Sequence, residues 1–454
     1  MVQSHVSYRW TTSQQGRKVS LATRSVGVNA ERTRRLGPVK LEISSDQRFT
    51  CQQCGMCCRG AWVVVTPDEA VRYRKLGAAR WFSDPTETGD VDPFEPVAHG
   101  HFRIRKRKDG ACGFLSDDNR CRIHMELGAE AKPLACRVFP FRFHAVEGRP
   151  LVTTSASCPT IVRNTGALLV DQAREIGALR AEWARAFPEK AEPLLFAAGR
   201  SIDVATLAAI KAALRRMLEP AAGGGEVDLA FAVERMARWL EDLSRHRVTR
   251  LPPAAFAEYV ELTGRHAAET AAPAPPAPAS AVTRLLSRGY LFTVVSVREH
   301  VGASANGLAR HLRRMRHLAH LHGLAPATDA LDRVAPRRVS LDTADPEVRR
   351  IVRHALRAAI DGLGTGRRAV IDELAVQAAT LAAGIALAAM AVHRQGGDRI
   401  DAHALTVGLT AASQLGYADQ GALATVLPSL TGGVDALRLV NRWLRPPHRA
   451  TAEV

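Results

Sequence analysis

The chain has 454 residues, 46% of them apolar, which is too long for one ordinary core and supplies enough apolar material for two or three domains. Its formal charge of +17, carried mainly by arginine spread through the chain, suits an acidic protein, a nucleic acid or an anionic lipid surface without choosing among them. Residues 1–20 lack an apolar stretch ahead of a small-residue cleavage site, which argues against a secretory signal and makes the reducing cytoplasm the expected compartment.

In chain order, residues 1–46 read as a flexible basic leader with a basic patch at Arg32 to Arg35. Residues 47–165 form a cysteine-rich unit that contains every cysteine of the chain. In a reducing compartment these read as metal ligands rather than disulfides. Ala61 to Val65 predicts a short buried strand, and Thr66 then caps a helix, with Pro67 in the first turn and Glu69 three residues after the cap. That helix should run through Leu76 and end near Gly77. Phe102 to Lys108 predicts a strand ahead of an Asp109-Gly110 turn, and Ile123 to Ala131 a helix stopped by Pro133. Phe139 to Ala145 and Leu151 to Thr154 should pair across Glu147-Gly148.

From residue 166 the apolar pattern turns helical. Gly166 to Phe187, Ile202 to Met217, a third segment ending near His246, and 253–267 make up a helical region at 166–267. Ala268 to Ser280 has the composition of an Ala/Pro linker. A helical C-terminal domain at 281–454 follows, with helices expected at 281–296, 303–322, 347–361, 366–394, 400–415 and 420–444. Val376 to Val392 is its most lipid-like stretch, but it is alanine-rich and short of the roughly 20 residues a bilayer span needs, so a buried helix and no membrane span are expected. The fold class is therefore α+β: a small cysteine-rich metal-binding domain followed by a mostly α-helical region.

Cys51, Cys54 and Cys57 stand three residues apart, which lets a tight loop turn its thiolates around one centre, as in the short-range part of some iron–sulfur sites. Gly55 suits a backbone conformation that a side chain would resist. Adjacent side chains diverge, so Cys57 and Cys58 are not expected to coordinate one small ion together, although they suit two neighbouring centres. Alternatively, one centre is completed by a member of the Cys112, Cys121, Cys136 and Cys158 set. Arg59, Arg122, Lys132 and Arg137 are placed to offset thiolate charge. His124 and His144 are stray ligands or outer donors at most.

The strings Phe49-Thr-Cys-Gln-Gln-Cys-Gly-Met-Cys-Cys-Arg-Gly60, Cys112-Gly-Phe-Leu115, Cys121-Arg-Ile-His124, Lys132-Pro-Leu-Ala-Cys-Arg137 and Phe139-Pro-Phe141 resemble the CxxCxxCC cysteine-cluster family. That bacterial and archaeal family of zinc- or iron-chelating domains includes the flagellin lysine N-methylases. The resemblance covers residues 47–165. It implies Cys51, Cys54, Cys57, Cys58, Cys112, Cys121, Cys136 and Cys158 as ligands of zinc or of an iron–sulfur cluster such as 4Fe–4S. Lys132 departs from the usual arginine but keeps its charge. Methylase-like members also carry a long helical C-terminal part, which makes S-adenosylmethionine-dependent protein lysine N-methylation an alternative to a metal-binding role. A basic adaptor with a structural metal site is a second alternative.

No catalytic residue stands out beyond the cysteines. Gly362-Leu-Gly-Thr-Gly366 follows a helical pattern and reads as a loop between helices rather than a nucleotide turn. Gly223 to Gly225 lies in a similar spacer. His311, His317, His320 and His322 lie along a basic segment with Arg310, Arg313, Arg314 and Arg316. A protein partner or protein substrate suits this surface better than nucleic acid. Tyr290 and Phe292 read as core anchors, and no serine, histidine and acid grouping supports hydrolysis.

Overall fold

The computed structural model describes residues 41–60, 63–82, 91–97, 100–107, 110–146, 149–188, 193–197, 199–220, 226–269, 280, 339–365, 368–418 and 434–444. The stretch 1–40, most of the Ala/Pro linker and residues 281–338, with their histidine and arginine run, lie outside these.

The N-terminal part is assembled from very short elements. Strands β1 (Glu42–Ile43) and β2 (Arg48–Phe49) lead into helix α1 (Met56–Gly60), strand β3 (Val64–Val65) and helix α2 (Pro67–Lys75). Strands β4 (Phe94–Pro96) and β5 (Phe102–Ile104), helices α3 (Arg122–Leu127) and α4 (Leu134–Val138), strands β6 (Phe141–Val146) and β7 (Arg149–Thr154), helix α5 (Pro159–Arg163) and strand β8 (Ala167–Leu168) complete it. Helix α2 begins at the expected capping box: Thr66 Oγ1 accepts the Glu69 N–H at 3.2 Å, and the Thr66 N–H donates to Glu69 Oε2 at 2.9 Å. Strands β6 and β7 pair antiparallel from Phe141 opposite Thr154 to Val146 opposite Arg149, and β1 adds in parallel to β7. A second sheet runs in the order β3-β5-β4, and β2 pairs with β8.

Three local expectations change. Glu42 and Ile43, within the expected leader, are a strand of the β6–β7 sheet. The helix expected over 123–131 ends at Leu127, because Gly128 takes a positive φ and the chain resumes as a separate turn at Ala129–Ala131. The helix expected from Gly166 is preceded by β8 and a turn at Val170–Gln172, so α6 spans Ala173–Ala186.

After α6, strands β9 (Leu195–Ala197) and β10 (Arg200–Ser201) form a small hairpin, followed by α7 (Val204–Arg216), α8 (Leu229–Leu243), α9 (His246–Thr249) and α10 (Pro253–Glu269). Beyond residue 338 come β11 (Ser340–Leu341), α11 (Pro346–Asp361), α12 (Val370–Arg394), β12 (Arg399–Ile400), α13 (Ala402–Ala418) and α14 (Arg438–Leu444). Asp203, Asp228 and Asp345 cap α7, α8 and α11 by accepting N–H groups of the first turn.

Two apolar cores result. The first gathers Val65, Tyr73, Phe94, Phe114, Leu115, Phe141 and Phe143 with Ile176 and Trp183 of α6. The second unites the helices on both sides of residues 270–338, from Leu207 and Trp239 to Ile385 and Val440. The β6–β7 hairpin feeds both, Phe143 and Val152 entering the first and Val146 and Leu151 the second.

Helix α12 crosses the second core, packing on α13, α11, α14, β9 and β12. Its stretch Val370–His393 is long and apolar enough to cross a membrane by length and composition, and its most apolar 18 residues, of mean hydropathy 1.9, are 56% buried within the fold. At its crossing with α13 a Cβ on Gly408 would stand 2.2 Å from the Gly384 carbonyl, so the two backbones touch.

Candidate metal centre

Each of four short helices carries or follows a cysteine. Cys57 and Cys58 lie in α1, Cys136 lies in α4, and Cys121 and Cys158 are the residues that precede α3 and α5. The loop before α1 carries Cys51 and Cys54 and turns through positive φ at Gln53 and Gly55. At Gly55 a Cβ would meet Asn119 Cβ at 3.0 Å, which supports the reading of Gly55 as a backbone requirement.

These segments converge on one cavity of about 810 Å³ whose walls include Cys51, Cys54, Cys57, Cys58, Cys121, Cys136 and Cys158. Cys112 is the eighth. It is buried outside this lining, where its N–H donates to the Cys58 carbonyl at 2.7 Å and ties the two segments together. Cys51 and Cys54 are exposed, Cys57, Cys58, Cys121 and Cys136 are half-buried, and Cys158 is buried. All eight are free thiols.

The sequence expectation that Cys57 and Cys58 diverge does not hold. Their Sγ atoms lie 4.0 Å apart within the five-residue helix α1. Two thiolates bound to one tetrahedral ion at about 2.3 Å stand about 3.8 Å apart, so this pair fits a shared ion. Among the described residues no three His, Cys, Asp or Glu side chains already meet as a finished metal cage. The sulfurs line the cavity rather than converge on a point.

Electrostatics show what the donors lack. The neighbouring Cys58 thiol, with burial second, pushes Cys57 far above the ordinary thiol range. Burial first, then the charges of Cys121, Cys112 and Cys57, does the same to Cys136. Burial lifts Cys112 to about 12. At Cys121 and Cys158 burial also raises the thiol, and backbone N–H groups of His124 and of Ile161 and Thr160 act against it. Thiols crowded in this way repel one another as thiolates, and a multivalent cation among them reverses the sign of that interaction. The donor set is thus chemically matched to zinc or iron.

Of the four basic residues expected to offset thiolate charge, Lys132 and Arg137 line the cavity. Arg59 donates to Asn119 Oδ1 at 2.7 Å, and Asn119 is itself a wall residue. Arg122 is not in the lining. Lys106, which the sequence did not single out, lies near Cys112 and Cys58, and burial lowers its pKa. His124 lines the cavity, whereas His144 is buried in β6 with Nε2 2.9 Å from Thr153 Oγ1, and His101 stacks on Phe187.

One wall was not foreseen. Helix α6 presents Gln172 at its start and then Glu175, Leu179 and Glu182 to the cavity, with Glu182 paired to Arg137. Their spacing of three and four is the signature of one helix face, so the stripe was readable, although nothing marked the thiols as its partner.

Residues 50–159 match the sequence model of the CxxCxxCC family, described as a putative zinc- or iron-chelating domain. Over 116 residues the chain is 28% identical to an uncharacterized protein of Methanocaldococcus jannaschii, an alignment that covers 25% of this chain and 37% of that protein. No solved structure matches the chain. The cysteine-lined cavity is therefore built largely by a CxxCxxCC domain, which this chain carries at residues 50–159.

Proposed function

We propose that the protein holds an iron–sulfur cluster or zinc in the cysteine-lined cavity, as a centre that stays accessible from solvent. The observation that carries this is the convergence of seven cysteines, drawn from four separate segments, on one cavity. A single tetrahedral ion uses four thiolates, so this donor set suits a polynuclear centre or two neighbouring ions. Structural zinc sites are closed, whereas reactive centres keep an open side. The exposure of Cys51 and Cys54 supports an open side here, available for electron transfer or for a substrate. Methyl transfer from S-adenosylmethionine to a protein lysine draws on the family resemblance alone, and an adaptor role on net charge alone. No wall residue is assigned to either.

The test is anaerobic purification followed by iron, zinc and acid-labile sulfide analysis and an absorption spectrum. Iron with matching sulfide and visible absorption identifies a cluster. Colourless protein with stoichiometric zinc identifies a zinc centre. Protein that takes up neither, even after incubation with iron and sulfide or with zinc, overturns the proposal.

A further inference from the structure

One side chain of the C-terminal helices bridges two cysteine-bearing segments. Gln414, on α13, donates from Nε2 to the carbonyl of Met56 at 3.1 Å and to the carbonyl of Ser157 at 3.3 Å. Met56 immediately precedes Cys57, and Ser157 immediately precedes Cys158. These acceptors are 358 and 257 residues from Gln414 in sequence, and the cysteines that follow them line the same cavity. Beside this bridge, Ser413 Oγ lies 3.1 Å from Ser157 Oγ in a buried contact.

Further contacts flank the bridge. Arg163, at the end of α5, reaches back to Thr406 of α13 at 3.4 Å, and its carbonyl accepts from Arg350 of α11 at 2.6 Å. The helix that follows Cys158 is thus gripped by two C-terminal helices. Helix α13 is in turn fixed against α12 at the Gly384–Gly408 contact. A primary amide suits this place because its nitrogen carries two N–H groups, enough for both carbonyls.

We propose that Gln414 is a positioning residue for the metal centre, setting the separation of the backbone segments that present Cys57 and Cys158. This rests on the metal-centre reading above. It gives the helical region, which lies beyond the CxxCxxCC match, a direct hold on the centre.

Gln414→Leu removes both donors at similar volume, and Gln414→Glu keeps the shape while removing the amide donor. Val407→Ala alters an exposed position of the same helix that takes no part in the bridge. In full-length protein loaded with the metal found on purification, the rate of metal release to excess chelator should rise about tenfold in both Gln414 variants, the equivalent of about 1.4 kcal/mol. Val407→Ala should release at the wild-type rate. The metal-free proteins should melt alike while alkylation of Cys57 and Cys158, followed by mass spectrometry, accelerates relative to Cys51 and Cys54 in the Gln414 variants. Equal alkylation patterns in all the proteins overturn the positioning role, as do equal release rates. Wild-type protein that binds no metal defeats the metal-centre reading instead, while the alkylation pattern still decides whether Gln414 positions the two cysteines. Should Gln414→Leu fail to fold, Gln414→Glu provides the same readouts.

Discussion

The cysteine half and the helical half of this molecule are held together by different means. In the first, α1, α4 and α5 have five residues and α3 has six, and the longest strands, β6 and β7, have six. Helices of that length do not sustain themselves in water, because nucleation fixes several residues for very few hydrogen bonds. In the second half, α7, α8, α10, α11, α12 and α13 span 13 to 25 residues and share a continuous apolar core. What the short helices share instead is a cysteine in the helix or just before it. On the metal-centre reading proposed above, a metal would cross-link these short helices in addition to the apolar core that they share, whereas the second half has a larger continuous core and no cysteine.

Removing the most connected sulfur is the strongest way to break that contrast. Cys57 adjoins Cys58 and is felt electrostatically by Cys112, Cys121, Cys136 and Cys158. Cys57→Ser should weaken metal binding by more than about 100-fold, because even outer partners of metal ligands are worth 10–100-fold. Hydrogen exchange should quicken across residues 41–168 and stay slow in α12 and α13. A competition titration with a chromophoric chelator, combined with exchange, checks both halves of this expectation. Unchanged affinity would remove Cys57 from the ligands.

The reverse perturbation strikes the helical half. Gly408 faces the Gly384 carbonyl at a distance that no side chain tolerates, with Ala388 N 2.8 Å from the position of a Cβ. Gly408→Val should destabilise the helical core by about 3 kcal/mol, at the upper end of ordinary overpacking. Thermal unfolding of the metal-free protein measures this. A melt within about half a kcal/mol of wild type would show that α12 and α13 do not depend on the backbone contact.

The same contrast explains how much could be read from the sequence. Long helices in one core announce themselves by period, and α7, α10, α11 and α13 fall close to their expected positions. The Thr66, Pro67 and Glu69 signature located α2 because its capping chemistry is local. The cysteines identified the metal-binding half, since thiols so closely spaced have few other uses. Strands β1, β2 and β8 escaped because a two-residue strand has no period to detect, only a distant partner. The Cys57–Cys58 convergence and the Gln414 bridge escaped for a related reason. Both depend on side-chain rotamer and on where the fold places a helix, which spacing does not encode.

A smaller effect lies at the seam between the halves. His354 of α11 is buried, its Nε2 finds no hydrogen-bond partner among the described residues, and desolvation lowers its pKa to about 4 despite the nearby charge of Asp46. Asp361 also favours protonation, and Arg350 opposes it. A depressed histidine pKa favours the neutral ring in the folded state. Its contribution is therefore complete above the unfolded value of about 6.5 and is lost as pH falls through about 4. Stability of the metal-free protein should fall over that window by up to about 3 kcal/mol, and His354→Leu should flatten the slope. Denaturant titrations at pH 4.5 and 6.5 compare the two proteins. Parallel slopes would assign the pH dependence to other groups.

The smallest expected effect separates a cap from a connection. Thr66→Ala removes only the hydroxyl that accepts the Glu69 N–H, and caps of this kind are worth about 1 kcal/mol. Glu69 has a second task, since its Oε1 accepts the N–H of Leu134 at 2.7 Å, at the start of the helix that carries Cys136. Glu69→Ala therefore cuts a link between α2 and a cysteine-bearing helix as well as the capping box. Both variants should lower the melting temperature of the cysteine half. Glu69→Ala should also speed metal release by several-fold, while Thr66→Ala should leave release within about twofold of wild type, because a charge-assisted hydrogen bond to the carboxylate exceeds the cap alone. Equal release rates in the two variants would show that α2 supports the centre only through general stability, not through the Glu69–Leu134 bond.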